Sequence, residues 1–150
     1  MTVPEMNAPK RTAAVVYRSR TGTTRRYAEA IGAHLASRGL DVRVASIGDC
    51  DMASLATVDH LLLGCWTNGF IVVRQHPDQP WLDFARELPA NPNGHVGLFI
   101  TYKWLSGSMF AKMREGLAGR IAAPTLELKS RDGSLSEPDR AALDRFMGQG

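Results

Sequence analysis

The stretch TAAVVYRSRTGTTRRYAEAIGAHLASR, residues 12–38, places an apolar run, a short polar loop and an amphipathic segment in direct succession. The apolar run Thr12–Tyr17 has the length and composition of a buried strand. From Thr23 to Arg38, apolar residues recur at helical spacing, and Gly39 follows as a helix terminator. The stretch therefore predicts a strand, a tight loop and a helix.

The loop between this strand and this helix is rich in hydroxyl groups. It consists of Ser19, Arg20, Thr21, Gly22, Thr23 and Thr24. Hydroxyl groups and the free N–H groups of a helix start would surround one point, and that point suits a phosphate group. An ordinary helix start capped by a hydroxyl group is the alternative.

Apolar segments alternate with amphipathic ones along the rest of the chain. Further strands are predicted at Asp41–Ser46, Val58–Gly64, His95–Thr101 and Thr125–Lys129. Further helices are predicted to open at Pro80, to follow a cap at Ser108, and to run through Met147 from a capping box of Ser136 and Asp139. This alternation indicates an α/β fold with a parallel sheet.

The composition of each strand indicates its position in the sheet. The first, third and fourth strands are continuously apolar, whereas the second and fifth alternate between apolar and polar residues. Central strands of a parallel sheet are buried on both faces, so the alternating strands belong at the edges. The pattern predicts a three-layer doubly wound fold with the strand order 2-1-3-4-5. A crevice should open at the carboxyl ends of the first and third strands, lined by the loops at 18–24, 65–79 and 102–107.

Length and composition set further limits. At 150 residues we expect a flexible tail over 1–11 and a single domain over 12–150. The apolar stretches are too short to cross a bilayer and the N-terminus has no apolar signal segment, so we predict no membrane insertion and a cytoplasmic location. The two cysteines and four histidines lack the spacing of metal ligands, and no metal site is predicted.

The loop Ser19–Thr24 is similar to the (S/T)xTGxT phosphate loop of flavodoxins, and it follows the first strand as it does in that family. In the order of its elements the chain resembles flavodoxins over about residues 12–147. The resemblance implies a flavodoxin-like fold that binds FMN. It also implies that the FMN 5′-phosphate is bound by backbone N–H groups from Arg20 to Thr24, Gly22 included, and by the hydroxyl groups of Ser19, Thr21, Thr23 and Thr24.

The loop after the third strand contains Trp66, Thr67, Asn68 and Gly69, all of which we expect at the cofactor. The resemblance implies that an aromatic residue of this loop stacks on the isoalloxazine, and Trp66 is the candidate. A core or subunit-contact tryptophan is the alternative. Asn68 and Gly69 favour a turn with positive φ. In flavodoxins a peptide here can flip on reduction and accept a hydrogen bond from the flavin N5–H; a static turn is the alternative.

The loop after the fourth strand contains Thr101, Tyr102, Lys103 and Trp104. The resemblance implies that Tyr102 or Trp104 covers the second flavin face and that backbone groups here meet the pyrimidine edge. Either aromatic residue could instead pack beneath the following helix. Many flavodoxins have a glycine-rich acidic stretch in this loop, and this chain lacks it.

Basic residues are concentrated around the predicted site. The formal net charge is +3, and the cations predicted near the crevice are Arg18, Arg20, Arg25, Arg26, Arg74 and Lys103, with Glu29 as the only nearby acid. This field should stabilise the reduced flavin anion and favour a redox partner with an acidic face. If these side chains point to solvent, screening would leave little effect. No nucleic-acid-binding motif accompanies the basic residues.

Two functions are compatible with this site. The first is an FMN-dependent carrier that passes electrons between a reductase and an acceptor enzyme, with no catalytic residue of its own. The alternative is an FMN-dependent oxidoreductase that reduces a quinone or another conjugated small molecule. A flavin-free interaction module with the same fold is a third hypothesis.

Overall fold

The computed structural model describes residues 11–67, 77–92, 94–103, 107–119 and 121–148. The strands are β1 (Thr12–Arg18), β2 (Asp41–Ser46), β3 (His60–Trp66), β4 (His95–Thr101) and β5 (Leu126–Ser130). The helices are α1 (Thr23–Ser37), α2 (Gln79–Arg86), α3 (Met109–Leu117) and α4 (Glu137–Met147), with a short 3₁₀ helix at Met52–Ala56. Within the predicted tail only Arg11 is described, and its guanidinium donates a hydrogen bond to the Met147 carbonyl at 2.6 Å.

The five strands form a parallel sheet in the order β2-β1-β3-β4-β5, which confirms the predicted topology. Most residues of β2 are exposed or half-buried, and β5 alternates between buried and exposed residues. Nearly all of β3 and β4 is buried. The strands predicted at the edges, β2 and β5, are the edge strands of the sheet, and they are less buried than the central strands.

The boundaries of β3 differ from the prediction of Val58–Gly64. The strand is shifted two residues along the chain, so Cys65 and Trp66 belong to the ladder and pair with Ile100 and Thr101. At its other end, the Asp59 carboxylate accepts a hydrogen bond from the Thr12 backbone N–H at 2.8 Å before β3 begins. Trp66 consequently projects from the end of a strand and is not part of a loop.

Helices cover the sheet on both faces, as predicted. Helices α1 and α4 pack on one face, in a core that includes Ile31, Phe99 and Phe146. Helices α2 and α3 pack on the other face, in a core that includes Leu63 and Trp81. The two faces are built from alternate residues of the same central strands, because successive side chains of a strand point to opposite sides.

Gly64 allows the closest packing within the central strands. Phe99 lies opposite it on β4, and a Cβ at position 64 would lie 2.1 Å from an edge carbon of the Phe99 ring. The ring is fully buried and makes an edge-to-face contact with Tyr27 of α1, with 6.0 Å between ring centroids. The Phe99 ring thus occupies the space that a side chain at position 64 would need.

Candidate functional site

The carboxyl ends of β1, β3 and β4 lie side by side at one edge of the sheet. Arg18 is opposite Cys65, and Trp66 is opposite Thr101. The chain leaves β1 and β3 in opposite directions along the sheet, so the segments that follow them border one crevice. The structure thus brings Ser19–Thr24, Trp66–Thr67 and Thr101–Lys103 to one edge. Three predicted site residues, Asn68, Gly69 and Trp104, lie outside the described residues.

The loop between β1 and α1 leaves the start of the helix open. Gly22 is the N-cap residue with φ 94° and ψ −8°, a left-handed conformation that glycine adopts at little cost. It has no side chain, and among the described residues no side-chain hydrogen bond caps α1. The first N–H groups of the helix lack intrahelical acceptors. The alternative of a hydroxyl-capped helix start is therefore wrong for α1.

Hydroxyl groups surround this open helix end. Ser19 is half-buried, and its Oγ accepts a hydrogen bond from the Gly22 N–H at 3.0 Å. The hydroxyl groups of Thr21 and Thr23 are 3.5 Å apart on the accessible side of the loop. With the helix N–H groups, these side chains supply uncharged donors to one location, which is the chemistry that binds a phosphate group.

Thr24 differs from the other threonines of the loop because it points into the protein. It is 1% exposed, and its hydroxyl lies 2.6 Å from that of Thr101, which is 4% exposed. This pair joins the first turn of α1 to the end of β4. Each hydroxyl therefore already has a hydrogen-bond partner. The predicted contacts of the Thr24 hydroxyl and of Thr101 with the cofactor stay predictions.

Trp66 is held by polar contacts on two sides. Its indole Nε1–H donates to Asp78 Oδ2 at 2.9 Å, and the Arg20 guanidinium lies over its ring, 5.2 Å from the centroid. The hydrogen bond fixes the orientation of the ring, and the arginine makes a cation–π contact with it. Trp66 is half-buried and also packs against the core beneath α2 and α3, so its contact with the cofactor stays a prediction and a core tryptophan stays the alternative.

Thr67 has an unpaired hydroxyl group at this edge. Its Oγ1 is buried and has no hydrogen-bond partner among the described residues, while its backbone N–H donates to the Thr101 carbonyl at 2.9 Å. A buried hydroxyl without a partner costs about 1–3 kcal/mol, so such groups are usually paired. A bound ligand is one way to supply the missing partner.

Tyr102 and Lys103 continue from the end of β4. The half-buried Tyr102 ring has Lys129 Nζ at 5.8 Å and the Arg131 guanidinium at 5.4 Å from its centroid. These contacts orient the ring toward the end of β5. Lys103 is exposed. Lys129 and Arg131 thus place two cations on this ring, and Lys103 follows Tyr102 in the chain.

Asp78 was not predicted, although it connects three elements at the site. It is 5% exposed and caps α2 by accepting a hydrogen bond from the Trp81 N–H at 3.3 Å. Its other oxygen accepts from Arg18 Nε at 2.8 Å, besides the Trp66 indole. An aspartate two residues before a proline at a helix start is a capping signal that could have identified its structural role.

Asp78 also lies beside the thiol of Cys65. The Cys65 Sγ donates to Asp78 Oδ1 at 3.7 Å, and burial raises the pKa of this thiol far above its usual value. A neutral, fully buried thiol is a weak nucleophile, because the thiolate is the reactive form. Cys65 is therefore a core residue.

The positive field at the crevice is weaker than the sequence indicated. Arg18 is compensated by Asp78, which is distant in sequence, and Arg25 pairs with Glu29 at 3.7 Å on the helix surface. The Arg26 guanidinium donates to the Asp132 carbonyl at 2.8 Å. The prediction that Glu29 is the only nearby acid is wrong, because the fold brings Asp78 to the end of β1. Arg74 lies outside the described residues.

The part of the chain that the structure describes has neither a cluster of metal ligands nor a membrane-spanning helix. No group of three or more histidine, cysteine or carboxylate side chains could hold a metal ion there. Among the same residues, no helix is both long enough and apolar enough to span a bilayer.

Comparisons with known proteins agree with this geometry. The family model described as Flavodoxin matches residues 15–131. The chain is 31% identical over 106 residues to a flavodoxin of Clostridium beijerinckii, covering 70% of this chain and 75% of that protein. It is 33% identical over 93 residues to a flavodoxin of Megasphaera elsdenii, covering 62% and 66%. The solution structure of the two-electron reduced Megasphaera elsdenii flavodoxin has a TM-score of 0.72 at 24% identity, covering 92% of this chain and 99% of that one. The chain belongs to the flavodoxin family, whose members are FMN-binding electron-transfer proteins.

Proposed function

We propose that this flavodoxin carries electrons between a reductase and an acceptor enzyme, with FMN bound at the crevice between the ends of β1 and β3. The observation that carries the proposal is the open start of α1, where Gly22 leaves the helix N–H groups uncapped beside the hydroxyl groups of Ser19, Thr21 and Thr23. The same proposal places the protein in the cytoplasm, which the sequence predicts.

The donors at this edge fit FMN. Neutral hydroxyl and N–H groups at a helix start bind a phosphate without a metal ion or lysine. Thr67 Oγ1 is a buried hydroxyl that lacks a partner among the described residues, and a polar edge of the flavin would supply one. The Trp66 ring provides a stacking surface; since Arg20 lies over one face, the flavin would take the other face or displace this exposed guanidinium.

Each part of the site has a separate task in this proposal. FMN supplies the electron-transfer chemistry when it is bound. The loop Ser19–Thr23 holds its phosphate, and Thr67 and Trp66 orient its ring. Tyr102 and Lys103 border the ring from the β4 side, together with Trp104 outside the described residues. Asn68 and Gly69, also outside them, are proposed to adjust their backbone to the redox state.

The proposed partner has an acidic face. Lys103, Lys129 and Arg131 are exposed around Tyr102 at the end of β4, and no carboxylate among the described residues pairs with any of them. Exposed charges of one sign steer a partner of the opposite sign and make association dependent on salt. Reduction of a quinone or another conjugated small molecule is the alternative reaction for the same flavin.

Reconstitution with FMN tests the cofactor site. The protein purified with added FMN should retain visible flavin absorption after gel filtration, and its absence would refute the proposal. We expect Thr67→Val to weaken FMN binding about tenfold through loss of one hydrogen bond. Thr67→Ser keeps the hydroxyl and should bind FMN like the wild type. Equal affinities of all three proteins would exclude Thr67 from the site.

Kinetics distinguish the carrier from the enzyme. A carrier should accept electrons from a separate flavoprotein reductase, with a rate that falls as salt concentration rises. Steady NAD(P)H oxidation by the isolated holoprotein with a quinone, without a reductase, would instead establish the enzyme. Reversing the charge of Lys129 and Arg131 should slow transfer with an acidic partner at low salt, and the difference from the wild type should shrink as the salt concentration rises.

A further inference from the structure

We infer that Asp78 is a positioning residue of the flavin site, which fixes the Trp66 indole and cancels the charge of Arg18. The inference rests on the proposed function, because it assumes that FMN binds against Trp66. Asp78 is not in the loop that holds the phosphate and has no direct contact with the cofactor in this proposal. It acts through two residues that border the crevice.

The two oxygens of Asp78 have different partners. Oδ1 accepts from the Trp81 backbone N–H at 3.3 Å and from the Cys65 thiol at 3.7 Å, so this oxygen holds the start of α2. Oδ2 accepts from Arg18 Nε at 2.8 Å and from Trp66 Nε1 at 2.9 Å, so this oxygen holds the ends of β1 and β3. The second pair of contacts is not needed to cap a helix.

Burial makes the Oδ2 contacts specific. Asp78 is 5% exposed, and a buried carboxylate requires a charged or hydrogen-bonding partner. The hydrogen bond from the indole N–H to this oxygen restrains the orientation of the Trp66 ring. The Arg20 guanidinium lies over the same ring, so Asp78 also restrains the position of Arg20 through its hydrogen bond to Trp66.

The ion pair also sets the charge near the flavin. Arg18 is the last residue of β1, directly before the phosphate loop, and its side chain is 38% exposed. Without Asp78 its positive charge would favour the electron-rich reduced flavin; without Arg18 the buried carboxylate would disfavour it. When both charges are present, their opposite effects on the flavin midpoint potential largely cancel. Asp78 therefore removes part of the field that the arginines would otherwise create.

Charge compensation predicts opposite effects of two single substitutions on the flavin midpoint potential. In the holoprotein, Asp78→Asn should raise the potential and Arg18→Gln should lower it. Each shift should correspond to roughly a tenfold change in the equilibrium between reduced and oxidised flavin. The double variant should return close to the wild-type value. Single shifts in the same direction, or a double variant further from wild type than either single, would overturn the inference.

The indole contact is tested in the apoprotein by NMR of the tryptophan Nε1–H groups. Trp66→Phe assigns the Trp66 resonance, and Asp78→Asn should move that resonance and speed its exchange with solvent. Asp83→Asn, which changes an exposed carboxylate on α2, serves as the control and should leave the Trp66 resonance unmoved. An unchanged Trp66 resonance would refute the positioning role.

The outcomes separate this inference from the proposed function. If the wild-type chain binds no FMN, the proposed function is wrong and the role of Asp78 toward the flavin falls with it, whereas the indole resonance still reports whether Asp78 holds Trp66. If Asp78→Asn fails to fold, Arg18→Gln alone tests the compensation. A potential that rises or stays constant in that variant would contradict the inference.

Discussion

At the scale of single residues, the proposed site depends on atoms that are absent as much as on those present. Gly22 lacks a side chain that could cap α1, and its φ of 94° turns the chain into the helix. Thr67 has a hydroxyl without a partner among the described residues, whereas the otherwise similar Thr24 is paired with Thr101 inside the protein. Thr24 and Thr67 both contact Thr101, but only the Thr24 hydroxyl has a hydrogen-bond partner among the described residues.

Gly22→Ala tests the backbone of the phosphate loop. A Cβ at this position meets nothing within 4 Å, so its cost is conformational, about 1 kcal/mol of unfolding free energy for a left-handed non-glycine residue. We expect this loss in urea unfolding of the apoprotein, together with weaker FMN binding in a fluorescence titration.

Gly39→Ala is the matched control for this substitution. Gly39 has φ 95° and equally open surroundings, but it follows the far end of α1. The control should lose a similar amount of stability and bind FMN like the wild type. Equal effects of both substitutions on FMN affinity would show that the conformation of Gly22 is not specific to the site.

At the scale of elements, polar contacts join α1 to α4 across one face of the sheet. Tyr27 donates to Asp139 at 2.8 Å, and Asp139 belongs to the capping box that begins α4, which confirms the predicted box with Ser136. Asp144 lies within 2.8 Å of His34 Nε2 and within 3.0 Å of Arg38 Nε. These contacts hold α1, which follows the predicted phosphate loop, against α4.

Asp144 predicts how this connection depends on pH. Hydrogen bonds from Arg38 and then from His34 lower the pKa of the Asp144 carboxyl to about 2 from its usual 3.8. Because the folded pKa is the lower one, the stabilisation is present above the unfolded pKa and is lost as pH falls through the folded pKa. Asp144→Asn should therefore be less stable than wild type near neutral pH, and this difference should shrink between pH 3.8 and 2.

Asp83→Asn is the control for the pH experiment. Asp83 is exposed on α2 and pairs with Arg86 at 3.6 Å within one helix turn. Such surface pairs contribute little, so we expect the urea midpoint of this variant to follow that of the wild type at every pH. A difference between Asp144→Asn and wild type that is the same at all pH values would contradict the linkage argument.

At the scale of the whole molecule, the sheet is the frame that brings the site together. Arg18, Trp66 and Thr101 occupy neighbouring positions only because β1, β3 and β4 are adjacent and in register. The close approach of β3 and β4 at Gly64 and Phe99 lies just below this edge. A change in core packing there would alter the relative positions of the strand ends that carry the site.

Gly64→Ala tests this packing. The added methyl group would lie 2.1 Å from a ring carbon of Phe99, which is fully buried, so the strands or the ring must shift. We expect a loss of about 1–3 kcal/mol of unfolding free energy in urea. Adding Phe99→Leu should recover part of the loss, so that the two substitutions are clearly non-additive.

Gly48→Ala is the control for overpacking, because a Cβ at position 48 meets nothing within 4 Å. Its unfolding free energy should be close to that of the wild type. If Gly64→Ala were as stable as this control, the close approach to Phe99 would not limit the packing of the sheet.

Local patterns in the sequence were sufficient to predict the strands, the helices and their order in the sheet. Periodicity reports which face of an element is buried, and a glycine among hydroxyl residues between a strand and a helix reports an open helix start. The likeness to flavodoxins added FMN and its proposed ligands. The bounds of β3 were predicted two residues too early in the chain. The ends of this strand depend on its pairing with β1 and β4 and not on hydrophobicity alone.

Contacts between distant residues were decided by the tertiary structure alone. Arg18 and Asp78 are 60 positions apart, and Thr24 and Thr101 are 77 apart, so no local pattern could indicate that either pair meets. Sequence patterns predicted which loops follow β1, β3 and β4 and that basic residues are concentrated there. Only the fold decided which of those charges are compensated and which hydroxyls remain unpaired, because charge compensation and hydrogen bonding depend on distances of a few ångströms between separate elements.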